Sequence, residues 1–153
     1  MKKILFTALF ACVALLSSCE APDTCYFEGN IYGVWALDSK FVVTDTDGKE
    51  NRVEVDYSGV HFFLSLSEPG VALAKKGSFT ELDLKDVDVD GSRFSYDASK
   101  KQISFEKTLW LTQGLSYEMR LSGTFEVLEL TQTKLVIQKE SMGIKTSYAF
   151  HSY

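Results

Sequence analysis

From Ile31 to the C-terminus, apolar and polar residues alternate almost without interruption. Val53, Val55 and Tyr57 alternate with Glu54 and Asp56, and Val60, Phe62, Leu64 and Leu66 with His61, Phe63, Ser65 and Ser67. Leu82 and Leu84 flank Asp83, Ile103 and Phe105 flank Ser104, and Glu118 and Arg120 space Tyr117, Met119 and Leu121. Phe125 with Val127, Leu135 with Ile137, and Tyr148 with Phe150 continue the pattern. A period of two with one apolar face predicts half-buried strands. Turn residues divide the runs: Asp47-Gly48, Ser58-Gly59, Asp90-Gly91, Gly114 and Gly143. No stretch has a 3.6-residue period, and EPGVALAKKG, Glu68 to Gly77, is the one place where a helical turn fits. The pattern predicts an all-β chain of eight to ten antiparallel strands, as a barrel or a sandwich. Closure would remove the exposed strand edges that invite aggregation.

The first residues follow a different pattern. Lys2 and Lys3 precede an apolar run from Ile4 to Leu16, broken only by Thr7, and Ser17 and Ser18 follow. That is the order of a secretory signal, and it falls short of the roughly 20 apolar residues of a membrane span. Cys19, preceded by Leu16, Ser17 and Ser18, resembles the lipobox of bacterial lipoproteins, whose cysteine sulfur receives a diacylglycerol. The resemblance implies a signal peptide over 1–18, a lipidation site at Cys19, a lipidated tether over 19–30 and one domain over 31–153. It also implies a place on the bacterial outer membrane, lipid-anchored, on the periplasmic face or the cell surface. Two or more acyl chains hold stably where one holds marginally, at about 0.8 kcal/mol per buried CH₂. Glu20, Pro22 and Asp23 resemble the surface-export signals of some Bacteroidetes lipoproteins.

Charge and cysteine content narrow the partners. The 153-residue chain has a formal charge of −5, and losing Lys2 and Lys3 takes it to −7. With a pI near 5.0 and no basic cluster beyond Lys75-Lys76 and Lys100-Lys101, both read as turn residues, nucleic acid is not an expected partner. Cys12 leaves with the signal and Cys19 takes the lipid, so Cys25 has no intramolecular partner. It reads as a small apolar residue under the first strand, with a reactive or intermolecular thiol as the alternative.

In GNIYGVWALD, Gly33, Trp35 and Leu37 resemble the G-x-W entry of lipocalins. The closing GTFEVLELTQTKLVIQKE and TSYAFHSY are similar to the end of the lipocalin-like domains of Bacteroidetes lipoproteins. The resemblance implies a single up-and-down lipocalin-like barrel, with Gly33 and Trp35 structural and Trp35 packed across one end. An eight-stranded barrel is just wide enough to be filled by side chains or to hold one small ligand. Trp110, Phe62, Tyr96, Tyr117, Phe125 and Tyr148 either line an apolar cavity, with Trp110 near the ligand, or plug it. Leu109 and Leu111 have the opposite parity to Trp110, so the alternative puts Trp110 outside on a protein-binding surface.

DVDVDGSRFSYD, Asp86 to Asp97, places Asp86, Asp88, Asp90, Gly91 and Asp97 in the pattern of a calcium loop. It lacks flanking helices and the glutamate usual at the twelfth place. A hairpin turning at Asp90-Gly91, with Asp88 facing Arg93 and Val87 facing Phe94, explains every residue except Asp97. We therefore expect a hairpin and no metal site. No catalytic motif occurs, and His61 and His151 read as surface residues, so neither catalysis nor a cofactor is expected. The leading reading is a lipid-anchored lipocalin-like protein binding a small apolar or amphipathic ligand. The alternative is a non-enzymatic structural or accessory surface lipoprotein that binds a protein or glycan.

Overall fold

In the computed structural model, residues 29–46, 49–68, 70–75, 87–88 and 92–153 are described. The signal, Cys19, Cys25, Leu82, Leu84 and the turns at Asp47-Gly48 and Asp90-Gly91 lie outside them. The alternation becomes ten strands: β1 (Gly33–Thr46), β2 (Lys49–Asp56), β3 (Phe62–Ser67), β4 (Gly70–Lys75), β5 (Val87–Asp88), β6 (Phe94–Asp97), β7 (Gln102–Gln113), β8 (Tyr117–Leu130), β9 (Lys134–Ser141) and β10 (Ile144–Ser152). They form one sheet in the order β5-β4-β3-β1-β10-β9-β8-β7-β6, with β2 also on β1.

Neighbours in sequence are thus mostly neighbours in space, and the first long strand pairs the last. The β1–β10 seam runs antiparallel from Trp35↔Ser152 to Thr44↔Ile144, with a bulge between Leu37 and Ser39. The opposite seam is looser: Gly70 bridges Arg93, and Val71 N donates to Ser92 O at 3.2 Å. The result is a nearly closed, up-and-down, lipocalin-like barrel.

β2 and β3 are two pieces of one strand along β1. Asp56 faces Ser39 and Phe63 faces Ala36, so the intervening residues outnumber those opposite and form a loop. His61 in that loop takes φ 57°. The loop turns Tyr57 into the barrel, where it is buried.

Side chains fill the interior. Phe62, Leu64, Leu66, Leu73, Ile103, Met119, Leu121, Phe125, Leu135, Ile137 and Phe150 belong to one buried cluster. Trp35 is 2% exposed and belongs to the same cluster, its indole N–H donating to Ile31 O at 2.9 Å. Gly33 opens β1 at φ 146°, a backbone conformation that favours glycine. Both residues lie at the start of β1. Ala36, Phe63 and Ala74 form a second buried cluster.

Four expectations are corrected. The stretch from Gly70 to Lys75 is strand β4 and not a helical turn, because alternate residues Val71 and Leu73 are needed in the core. Lys75 accordingly ends a strand and does not sit in a turn. The Asp88–Arg93 hairpin pair is not made: Asp88 faces Leu73, Arg93 bridges Gly70 and Phe94 faces Phe105. β4 and β7 offered β5 and β6 longer edges than they offer each other. Val53 does not reach the core either; it is 51% exposed, since β2 pairs the upper half of β1, beyond the barrel interior.

Candidate functional site: a cleft beside the unpaired edge of β8

β8 pairs β7 from Tyr117 to Glu126, but it meets β9 only from Glu126 to Leu130. Gly123, at φ 68°, stands near the parting. Beyond it the backbone groups of Glu118, Arg120 and Ser122 point away from β7 and have no strand partner among the described residues. Side chains take the place of that strand. The Tyr57 hydroxyl donates to Glu118 O at 2.7 Å and accepts from Glu118 N at 2.9 Å. The Tyr148 hydroxyl donates to Arg120 O at 3.1 Å and accepts from Arg120 N at 3.2 Å. Lys40 Nζ donates to Glu118 O at 3.2 Å and Lys139 Nζ to Ser122 O at 2.6 Å. An open edge invites pairing with another chain, and four side chains cover this one.

Local structure explains why these four reach it. The β2–β3 loop delivers Tyr57. The β1–β10 register sets Lys40 opposite Tyr148, and the β9–β10 register sets Lys139 opposite Thr146 and Ser141 opposite Ile144. Burial drives the Tyr148 phenol pKa up to about 12, against a smaller lowering by its bond to Arg120. Burial also raises that of Tyr57. Both hydroxyls are therefore fixed as neutral donor–acceptors.

Where β8 and β9 part, a cleft of about 410 Å³ opens, lined by Lys40, Glu118, Phe125, Lys139, Thr146, Tyr148 and neighbouring residues. Lys40 Nζ lies 5.7 Å from the Tyr148 ring centre, and Lys139 Nζ 5.7 Å from that of Phe125. The two rings stand 6.3 Å apart. Ile144 and the almost fully exposed Met142 give the cleft an apolar rim. Its size falls in the range of small-molecule sites.

No family model, curated protein or solved structure matches the chain.

The six aromatic residues proposed for a ligand site separate into three groups. Phe125 and Tyr148 are buried, and both reach the wall of the cleft. Phe62 is fully buried in the core, and half-buried Tyr96 and Tyr117 pack against it. Trp110 is 59% exposed, and its indole donates to Glu118 Oε1 at 2.9 Å on the outside. Leu109 and Leu111 take the interior positions, which corrects the expectation of an interior Trp110. His151 is exposed and pairs with Asp38 at 2.6 Å, and His61 is exposed in its loop. No cluster of metal-ligating side chains occurs among the described residues.

Asp97, which the hairpin left unexplained, caps the turn after β6. Its Oδ1 accepts from Ser99 N, Ser99 Oγ and Lys100 N at 3.0, 2.6 and 3.1 Å. Those bonds, led by that from the Ser99 side chain, lower its pKa to about 2. The sequence reading passed over Lys40, Lys139 and Tyr57. For Lys139 a signal was available, since it continues the inward row of Leu135 and Ile137, whereas the bulge between Leu37 and Ser39 hides the parity of Lys40.

Proposed function

We propose that this is a lipid-anchored envelope protein that binds a small amphipathic molecule in the lateral cleft. It acts as a binding module and not as an enzyme. The observation that carries the reading is the cleft of about 410 Å³ in which the rings of Phe125 and Tyr148 meet Lys40 and Lys139. A barrel interior filled by Phe62, Met119 and Leu121 leaves the side opening as the place for a guest. The anchor at Cys19, the outer-membrane location and kinship with lipocalin-like lipoproteins rest on the N-terminal sequence and the G-x-W entry.

Native mass spectrometry of the protein from its own host tests the ligand. A copurifying small molecule that is lost when Thr146→Trp fills the cleft supports the reading. A chain that arrives bare, and binds no amphiphile added afterwards, overturns it. For the anchor, Cys19→Ala should release the protein from host membranes, and unchanged membrane association without acyl label would refute it.

A second reading has its own support. A filled interior, with Trp110, Leu115 and Met142 exposed, suits an accessory surface lipoprotein that binds a protein or glycan through its outer face. Loss of partner capture in Trp110→Ala, with no effect of Thr146→Trp, would favour it.

A further inference from the structure

We infer that the cleft takes an anionic amphiphile, with its carboxylate or phosphate head on Lys139 and its hydrocarbon over the Ile144–Met142 rim; this rests on the small-ligand reading above. The chain as a whole is acidic, at −5, yet the cleft is lined by Lys40, Arg120 and Lys139 against one carboxylate, Glu118. That carboxylate already accepts the Trp110 indole N–H.

Neither Lys40 nor Lys139 has a carboxylate within ion-pair distance among the described residues, in contrast to Lys100 with Asp97 and Lys134 with Glu129. Each ammonium gives one N–H to a backbone carbonyl and keeps two more. The carbonyl bonds satisfy the edge of β8 but leave both positive charges uncompensated. An anionic oxygen bonded to such an ammonium makes a stronger hydrogen bond than a neutral group does.

Position separates the two lysines. The carbonyls they hold, of Glu118 and Ser122, lie four residues apart on one strand, about 13 Å at 3.3 Å per residue. A single head group therefore meets one of them. Lys139 stands opposite Thr146, whose hydroxyl adds a donor, and the next inward pair is Ser141 with Ile144. From Lys139 the apolar path thus leads outward to Ile144 and Met142, both exposed. From Lys40 it leads to the buried ring of Tyr148. A neutral amphiphile would cover Lys139 without satisfying it, and a cationic one would be repelled.

The test is photo-crosslinking of the full chain in phosphatidylcholine nanodiscs, with diazirine-bearing twelve-carbon probes ending in a carboxylate, a phosphate monoester or an alcohol. Adducts are mapped by mass spectrometry. The two anionic probes should label the segment from Met142 to Thr146 about tenfold more than the alcohol, the scale of one charged hydrogen bond. Lys139→Gln keeps a donor for Ser122 O and should abolish that preference, whereas Lys139→Arg should retain it, both at an unchanged melting point. Phosphatidylglycerol added to the discs identifies the source. Competition with the fatty acid marks a membrane lipid headgroup, its absence marks a free acid, and either supports an anionic ligand. Equal labelling by the alcohol, unaffected by Lys139→Gln, would overturn the anionic class and leave the cleft reading standing. Labelling by none of the probes at the cleft would remove both.

Discussion

The Tyr148 hydroxyl both donates to and accepts from the backbone of Arg120, at 3.1 and 3.2 Å, so one side chain stands in for a missing strand. Tyr148→Phe keeps the ring and removes both bonds. Leaving a partly buried backbone pair unsatisfied costs about 1–3 kcal/mol. The melting midpoint should fall by several degrees, with faster amide exchange at Arg120 and little change at Ile137. An unaltered exchange rate at Arg120 would show that water replaces the hydroxyl without loss.

The same phenol sets an alkaline limit. Its pKa in the folded protein is raised from about 10 to about 12, so the unfolded chain releases this proton first. The contribution is fully present below pH 10 and is lost as the pH rises through 12. At about 1.4 kcal/mol per unit it amounts to roughly 2–3 kcal/mol. Denaturant titrations at pH 9 and pH 11.5 should differ in midpoint, and by less in Tyr148→Phe.

The two tryptophans should behave in opposite ways. Trp35→Ala removes a buried indole and its bond to Ile31 O, at roughly 3–5 kcal/mol. Trp110→Phe changes an exposed side chain and should stay within about 0.5 kcal/mol. Acrylamide should quench Trp110 readily and Trp35 hardly at all in the single-tryptophan variants. The reverse order would contradict the orientation of β7.

Asp97 gives an acid-side prediction. Its pKa is lowered to about 2 by bonds from Ser99 and Lys100, so its stabilising effect is present above the ordinary carboxylate value and disappears as the pH falls through 2. By NMR, the Asp97 carboxyl should titrate near pH 2 and move upward in Ser99→Ala. Millimolar calcium should leave both midpoint and melting temperature unchanged, as befits a turn cap.

Period-two alternation alone located most of the strands, since alternating apolar residues such as Leu64, Leu66, Leu109, Leu111, Met119, Leu121, Tyr148 and Phe150 had to be buried somewhere. Gly33, with its positive φ, and the buried Trp35 both lie at the start of β1. Alternation does not encode which edges meet. Val87-Asp88 and Phe94 were legible as strand residues, but local turn residues suggested a mutual pairing that the longer edges of β4 and β7 outcompeted. The cleft was less legible still. It arises where β8 leaves β9 near Gly123, and its lysines come from strands far apart in sequence. Trp110 misled because it lies in an apolar run whose parity both neighbours contradict, and two leucines outweighed one indole.

The β1–β10 seam has a consequence for how the molecule comes into being. Trp35 finds Ser152 only after every strand between them has been made, so the seam closes late. Contacts of such long sequence separation slow folding toward milliseconds to seconds. A chain whose β1 must wait for β10 keeps both of those strand edges open to other partners until the seam closes.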